Sequence, residues 1–175
     1  MKNEEMEQLI TDYGRDVYRF CIHLTGNIDL AEDLYQDTFV KLLQRKHRKE
    51  PDENIKSYLM GIAVNLWRNR LRKEHRRAEI IPLADYEEVK YSLTGFADSP
   101  LNQYLNREMQ EDICKAVHAL PEKQRITVLL YYGEEFSVKE IAQMLHIPKG
   151  TVLSRLANAR RQLKEDLEGY HYAEG

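Results

Sequence analysis

The sequence predicts an all-α protein made of two small helical domains joined by a linker. Of the 175 residues, 31% are charged and only 8 are Gly and 5 are Pro, which is typical of a helix-rich globular chain. Apolar residues recur at helical spacing in both halves, whereas residues 80–100 show no sustained period. A chain of this length suits one ordinary domain or two small ones, and the interruption favours two.

The N-terminal part contains two predicted helices in succession. The first should cover Asn3–Thr25 and stop at Gly26, because apolar residues recur every three or four positions up to that glycine. Asp29, with Glu32 three positions later, resembles a capping box that would open a second helix ending near Arg45. One side of this helix is apolar and should be buried. Its polar side carries Asp33, Gln36 and Asp37.

The third predicted helix, from about Ile55 to Arg77, carries apolar side chains along two stripes instead of one. A helix that is apolar on two sides is mostly buried, so Trp67 should belong to the core. The remaining polar strip is narrow and combines an aromatic ring, two amides and a cation. That strip consists of Tyr58, Gly61, Asn65, Asn69 and Arg72.

The net charge of −3 averages over blocks of opposite sign. Five basic residues and no acid fall in positions 41–49, and six basic residues with one acid fall in positions 68–77. Positions 78–112 then hold eight acids against two basic residues, and positions 149–164 hold five basic residues and no acid. Solvated helix faces explain most charge blocks, but basic blocks on both sides of an acidic stretch favour two anion-binding surfaces.

The acidic stretch sets the predicted domain boundaries. Residues 80–100 contain a proline near each end and a glycine between them, which is typical of a linker. We therefore predict a first domain over residues 1–79, the linker over 80–100, a second domain over 101–170 and a tail over 171–175. The second domain should begin with helices over 101–120 and 122–132, which are separated by Pro121.

Two closely spaced helices near the C-terminus form a predicted helix-turn-helix unit. Ser137 and Glu140 make a capping box for a short helix, HIPKG provides the turn, and the next helix begins near Pro148. In such a unit the second helix docks in the major groove of DNA. Its outward side chains are of types that contact phosphates or base edges: Lys149, Thr151, Ser154, Arg155, Asn158, Arg161 and Gln162.

Catalytic, metal and membrane signals are missing from the sequence. The two cysteines, Cys21 and Cys114, lie far apart and are expected to be reduced core thiols. The six histidines form no metal-binding spacing, and no nucleophile motif or phosphate-binding glycine loop is present. We therefore expect neither a cofactor nor a metal, and no enzymatic activity. Without a secretory signal or a membrane-spanning run, the chain is expected to be cytoplasmic, with no membrane insertion.

Three ordered motifs resemble the ECF (extracytoplasmic function) sigma factor family of RNA polymerase. AEDLYQDTFVKLLQ (31–44) is similar to the family's polymerase-binding helix, and SYLMGIAVNLWRNRLR (57–72) to its promoter-melting helix. The third motif, from ALPEKQRITVLLYY to SVKEIAQMLHIPKGTVLSRLANARRQL (119–163), is similar to its second DNA-binding domain. The resemblance extends from about position 9 to position 167, which is nearly the whole chain.

The resemblance implies partners and roles for the residues singled out above. Asp33, Gln36 and Asp37 would contact the coiled coil of the largest subunit of core RNA polymerase. The third helix would recognise and open the minus-ten element of promoter DNA, with an unstacked base captured near Asn65. The side chains assigned to minus-ten DNA are Tyr58, Asn65, Arg68, Asn69, Arg72 and Arg76. Those assigned to the minus-thirty-five element are Lys149, Thr151, Ser154, Arg155, Asn158 and Arg161. Many members of the family also bind an inhibitory anti-sigma factor.

The sequence departs from the family's pattern at a few positions, and two other functions stay open. His146 replaces the usual glycine of the turn, at a site that tends to need a positive φ. Leu153 stands where a basic residue is common. One alternative function is an autonomous helix-turn-helix repressor or activator, and the other is an adaptor that binds only proteins. Neither accounts as well for the basic and aromatic character of the third helix.

Overall fold

The computed structural model describes residues 3–44, 54–78 and 107–169, and none of these residues lies in a strand. One compact unit contains α1 (Asn3–Thr25), α2 (Ile28–Gln44) and α3 (Ile55–Ala78); the other contains α4 (Arg107–Ala119), α5 (Glu122–Val128), α6 (Val138–Leu145) and α7 (Lys149–Glu168). The predicted all-α fold with two helical units is confirmed. The linker, the tail, and residues 101–106 of the predicted fourth helix lie outside the described residues, so the domain boundaries stay predictions.

In the first unit, α1, α2 and α3 pack against one another around a common apolar core. Phe20 and Leu24 of α1, Leu34 of α2 and Leu59 of α3 are almost completely buried there. Helix α1 ends where the sequence predicts, because Gly26 adopts a left-handed φ of 65° and its N–H donates to the carbonyl of Ile22 at 2.8 Å.

The start of α2 differs from the prediction, and the capping box at Asp29 and Glu32 is wrong. The helix begins earlier, because the side-chain oxygen of Asn27 accepts a hydrogen bond from the N–H of Leu30 at 3.0 Å. The backbone carbonyl of Asn27 also accepts from the N–H of Ala31 at 2.9 Å. Asn27 therefore supplies the cap, and Asp29 lies inside the first turn, where a negative charge is still favourable.

Helix α3 is buried on two sides, as its double apolar stripe predicts. Leu59, Met60 and Val64 are at most 1% exposed, and Trp67 is 4% exposed. Asn54 caps the helix, since its side-chain oxygen accepts from the N–H of Ser57 at 3.0 Å. From residue 72 to residue 77 every side chain is exposed, so the basic end of α3 lies beyond the packed core.

In the second unit, α7 packs against α4, α5 and α6. Its residues Val152, Leu156 and Ala159 are at most 1% exposed. The predicted helix over 122–132 is α-helical only to Val128 and continues as a wider π-helical turn, Leu129–Gly133. That turn closes when the N–H of Glu134 donates to the carbonyl of Leu129 at 3.0 Å.

The helix-turn-helix unit has the predicted cap and turn. The Ser137 hydroxyl accepts from the N–H of Glu140 at 3.2 Å, while the Glu140 carboxylate accepts from the N–H of Ser137 at 2.7 Å. His146 ends α6 in the left-handed conformation with φ 54° and ψ 47°, which confirms the positive φ expected there. Turn and cap together fix the direction in which α7 leaves α6.

Candidate functional site

Helix α2 presents the first candidate surface to solvent. Its buried side includes Leu34 and Thr38. The Thr38 hydroxyl donates to the Leu34 carbonyl at 2.7 Å, so this buried hydroxyl has a hydrogen-bond partner. Asp33, Gln36 and Asp37 are all exposed on the other side. Because Gln36 and Asp37 follow Asp33 by three and four positions, the three side chains form one acidic and amide surface.

Asp33 is also linked to α3 through Arg70, a contact that the sequence reasoning missed. The Arg70 guanidinium lies 3.7 Å from the Asp33 carboxylate and 3.6 Å from that of Glu74. The side chain of Asp33 remains 64% exposed, so the pair contributes little to stability and leaves the carboxylate accessible to a partner.

The exposed surface of α2 continues one turn further as an apolar patch. Val40 is 48% exposed and Leu43 is 52% exposed, and both follow Asp33, Gln36 and Asp37 at helical spacing. A helical projection of the sequence contains this signal, since positions 33, 36, 37, 40 and 43 share one face. Val40 and Leu43 were not predicted as part of this surface, because only its polar residues were assigned to a partner.

The polar strip of α3 is the second candidate surface. Asn65 and Asn69 are exposed and Tyr58 is half-buried, all on the side of α3 that the core leaves open. The side-chain oxygen of Asn69 accepts a hydrogen bond from the Arg72 guanidinium at 3.4 Å. Among the described residues no hydrogen-bond partner is found for the carboxamide of Asn65, so its donor and acceptor are available to a ligand.

The remaining cations of α3 extend the strip toward its C-terminal end. Arg68 is half-buried, and Arg76 is exposed and donates from Nε to the carbonyl of Arg72 at 3.3 Å. The strip therefore changes from amide and aromatic groups to cations along one helix. Unstacked bases suit the first kind of group, and a phosphate backbone suits the second.

The outward surface of α7 is the third candidate surface. Lys149, Ser154, Asn158 and Arg161 are exposed, while Thr151 and Arg155 are half-buried, so all six predicted minus-thirty-five residues reach solvent. Arg161 donates to the Asn158 side-chain oxygen at 3.5 Å, and Gln162 donates to the Asp166 carboxylate at 2.9 Å. Hydrogen-bonding and cationic side chains thus occupy the face opposite Val152 and Leu156.

Arg160 is a further exposed cation on α7 that the sequence reasoning left out. Its Nε donates to the Tyr132 hydroxyl at 2.6 Å, and its guanidinium lies 5.9 and 5.6 Å from the ring centres of Tyr131 and Tyr132. Two aromatic rings therefore hold this cation in place. The contact joins residues that are 28 positions apart, so helical periodicity gives no signal for it.

Two cysteines and two histidines have pKa values that are shifted mainly by burial. Burial raises the pKa of Cys21 to about 12, and burial together with the carboxylate of Glu111 raises the pKa of Cys114 to about 11. Both cysteines are free and buried, as expected of core thiols. Burial, helped by neighbouring arginines, lowers the pKa of His23 and of His118 to about 4. The arginine is Arg19 for the first histidine and Arg125 for the second.

Within residues 3–44, 54–78 and 107–169, no group of three or more His, Cys, Asp or Glu side chains has the arrangement of a metal site. Over the same residues, no helix has the length and apolar character that crossing a membrane requires.

Comparisons with known proteins match both units. The sigma-70 region 2 model covers residues 9–77, and the sigma-70 region 4 model covers residues 110–163. The ECF RNA polymerase sigma factor SigW of Bacillus subtilis is 28% identical over 91% of this chain and 87% of its own. The ECF RNA polymerase sigma factor EcfG of Rhodopseudomonas palustris is 32% identical over 82% of this chain and 75% of the length of EcfG.

A solved structure is also similar to this chain. The sigma factor RpoE in complex with the anti-sigma factor NepR from Bartonella quintana matches with a TM-score of 0.78 and 28% identity, and the match covers 94% of this chain and 98% of that one.

Proposed function

This chain belongs to the ECF family of RNA polymerase sigma factors, and from that membership we propose how its helices share the work of starting transcription. It is an alternative sigma factor that binds core RNA polymerase and directs promoter recognition, DNA melting and transcription initiation. We infer that it acts by binding alone, without catalysing a reaction, and that it acts in the cytoplasm, where core polymerase and promoter DNA are found.

The polar surface of α2 is our candidate for the polymerase contact. Asp33, Gln36 and Asp37 are exposed side by side, and removing them would leave the buried side of α2 untouched. The family resemblance supplies the partner, a coiled coil of the largest polymerase subunit. On docking, the Asp33 carboxylate can exchange its exposed contact with Arg70 for a contact with polymerase at little cost.

The polar strip of α3 is our candidate for the minus-ten element, and its geometry is the observation that carries the proposal. An unstacked base needs hydrogen bonds to its Watson–Crick edge, and the exposed carboxamide of Asn65 offers both a donor and an acceptor. Tyr58 and Asn69 lie on the same strip, and Arg68, Arg72 and Arg76 can hold the backbone. An autonomous repressor or a protein adaptor accounts less well for such a strip.

The outward surface of α7 is our candidate for the minus-thirty-five element. Asn158 is of the type that pairs with adenine, and Arg155 is of the type that pairs with guanine or a phosphate. Lys149 is the first residue of α7, where a helix N-terminus already favours phosphate. Thr151, Ser154 and Arg161 complete the set assigned to this element.

An anti-sigma factor is the remaining partner that we propose. The Bartonella quintana sigma factor, which is similar to this chain over nearly its whole length, is bound to such a protein in its crystal structure. A protein that covers α2 or α7 would prevent polymerase or DNA from binding. Recovery of the chain from its own cells in a complex that lacks polymerase would test this partner.

The experiment that tests the proposed function measures binding to a promoter under two conditions. Transcripts are first sequenced after overproduction, so that their shared upstream motif defines the promoter. The purified chain is then tested for binding to that duplex with and without core polymerase. We expect specific binding and strand opening only with polymerase. Specific binding by the chain alone would favour an autonomous regulator, and the absence of binding in both conditions would favour an adaptor.

A further inference from the structure

One large apolar side chain lies open on the otherwise polar and cationic outer surface of α7. Leu153, in the second turn of the helix, is 54% exposed. Ala157, one turn later, is also exposed, and a Cβ added to Gly150, one turn earlier, would meet no atom within 4 Å. Gly150, Leu153 and Ala157 therefore form an unobstructed strip without hydrogen-bonding side chains, which we call the aliphatic strip.

Positive charge surrounds the aliphatic strip. Lys149 precedes it, Arg160 and Arg161 follow it, and positions 149–164 contain no acid. A lone exposed leucine is ordinary on a protein surface and needs no partner. This leucine, however, lies in the N-terminal half of the second helix of a helix-turn-helix unit, which is the part that approaches base edges.

The chemistry of the strip selects among the base edges of the major groove. All four bases present hydrogen-bonding groups there, thymine through O4, and a leucine side chain would remove water from those groups without replacing the lost bonds. Thymine is the base that presents a methyl group, which an aliphatic side chain can cover favourably. The missing side chain at Gly150 lets the helix backbone come close to the groove.

We propose that Leu153 is a specificity-determining residue that contacts the 5-methyl group of a thymine in the minus-thirty-five element. This proposal rests on the proposed role of α7 in binding that element. Leu153 selects for thymine, while the neighbouring Ser154, Arg155 and Asn158 make the polar contacts. The element that this chain recognises therefore contains a thymine at the position that faces the second turn of α7.

The test replaces each thymine of the minus-thirty-five element, one at a time, by deoxyuridine, which lacks only the methyl group. Binding of the reconstituted holoenzyme to each duplex is measured by titration. We expect one position at which deoxyuridine lowers the affinity of the wild-type protein about fourfold. That is the change expected when the burial of one methyl-sized group is lost. Leu153→Ala should bind the thymine duplex more weakly and should not respond to deoxyuridine at that position.

Two further variants make the result specific to this side chain. Leu153→Met retains an apolar side chain and should keep most of the response to the methyl group. Ile10→Ala removes another exposed aliphatic side chain, which is 41% exposed and belongs to α1, and should respond to deoxyuridine as the wild type does. All variants alter exposed positions, and their melting temperatures are compared to confirm that they fold.

The possible failures are distinguishable from one another. If the wild-type holoenzyme selects no upstream sequence, the proposed role of α7 fails. If it selects one but every deoxyuridine substitution is neutral, or if Leu153→Ala still loses affinity on deoxyuridine, the proposal for Leu153 is wrong. If Leu153→Ala weakens binding to core polymerase without DNA, Leu153 contacts protein instead, which also overturns the proposal.

Discussion

Helices α3 and α7 both carry a basic block, but their units bury them to different extents. The core covers α3 on two sides, through Leu59 and Met60, and leaves a narrow polar strip along it. The core covers α7 on one side, through Val152 and Leu156, and leaves a broad surface. A narrow strip with an available amide suits single bases that have left the stack, whereas a broad cationic surface suits the groove of an intact duplex. The extent of burial, more than the number of basic residues, therefore separates the two proposed DNA-binding modes.

The largest effect should come from the α2 surface that we propose as the polymerase contact, because both proposed DNA-binding modes depend on it. Asp33→Ala combined with Gln36→Ala and Asp37→Ala should abolish binding to core polymerase, because the variant loses the three exposed polar side chains of α2 that we propose as the polymerase contact. The melting temperature should stay nearly unchanged, since changes at exposed positions usually cost less than about 0.5 kcal/mol. Pull-down of core polymerase measures the loss, and Glu4→Ala with Glu7→Ala, two exposed acids of α1, serves as the control. Undiminished pull-down by the triple variant would contradict the assignment of this surface.

Substitutions within α7 should separate base reading from phosphate binding. Arg155→Ala and Asn158→Ala should change which upstream sequences are selected, at about 1–3 kcal/mol for each lost base contact. Arg161→Ala and Lys164→Ala should weaken all promoters alike and flatten the salt dependence of binding. A randomised promoter library and a salt titration measure the two effects. Equal losses across the library for Arg155→Ala and Asn158→Ala would mean that these residues touch only phosphate.

The two units should resemble each other in their response to acid, despite their different surfaces. Each contains a histidine whose folded pKa is lowered to about 4 by burial, His23 in one and His118 in the other, against about 6.5 for an unfolded histidine. Because the folded state binds fewer protons than the unfolded state, the free energy of unfolding keeps its full value above pH 6.5 and falls as the pH drops toward 4. Melting temperatures at pH 7.5, 5.5 and 4.5 measure this loss, which His118→Gln should reduce. A melting temperature that is independent of pH over this range, in the wild type, would disprove the prediction.

The smallest expected effect concerns the turn between α6 and α7. His146 adopts a φ of 54°, which is costly for a residue with a Cβ, so His146→Gly should stabilise the second unit by roughly 0.5–1 kcal/mol. Gln143→Gly, at an exposed position inside α6, should destabilise that unit by about 1 kcal/mol and serves as the control. Thermal unfolding of the two variants provides the comparison. A lower melting temperature for His146→Gly would show that the imidazole makes a contact that outweighs the strain.

The sequence alone predicts most of the fold and the exposed surfaces, and the misses have physical causes. The period of α1 and the two stripes of α3 record which sides are buried, so these helices were predicted to within about a residue. The start of α2 was misplaced because Asn27 and Asp29 are both residue types that cap helices. The prediction chose Asp29, whereas Asn27 supplies the cap. The contacts of Arg70 with Asp33 and of Arg160 with Tyr132 depend on how separate helices pack, which local periodicity does not encode.

The polar strip of α3 was predicted from its spacing, and its exposed amides fit that prediction. The roles of the individual residues remain proposals. Burial explains how each surface is formed, and measurements on the DNA-bound protein assign a base to each side chain. The difference between α3 and α7 is therefore tested best on one promoter with one variant from each helix.

The most direct measurement compares wild type, Asn65→Ala and Asn158→Ala for closed-complex retention on gels and for permanganate reactivity of the melted strand. We predict that Asn65→Ala retains the closed complex and the melting temperature of the wild type but opens the duplex poorly, because alanine removes both hydrogen-bonding groups offered to the extruded base. Asn158→Ala should weaken formation of the closed complex. The closed complex that still forms with this variant should open its promoter as well as the wild-type complex does. Normal opening by Asn65→Ala on a fully duplex promoter would contradict the division of function between the two helices.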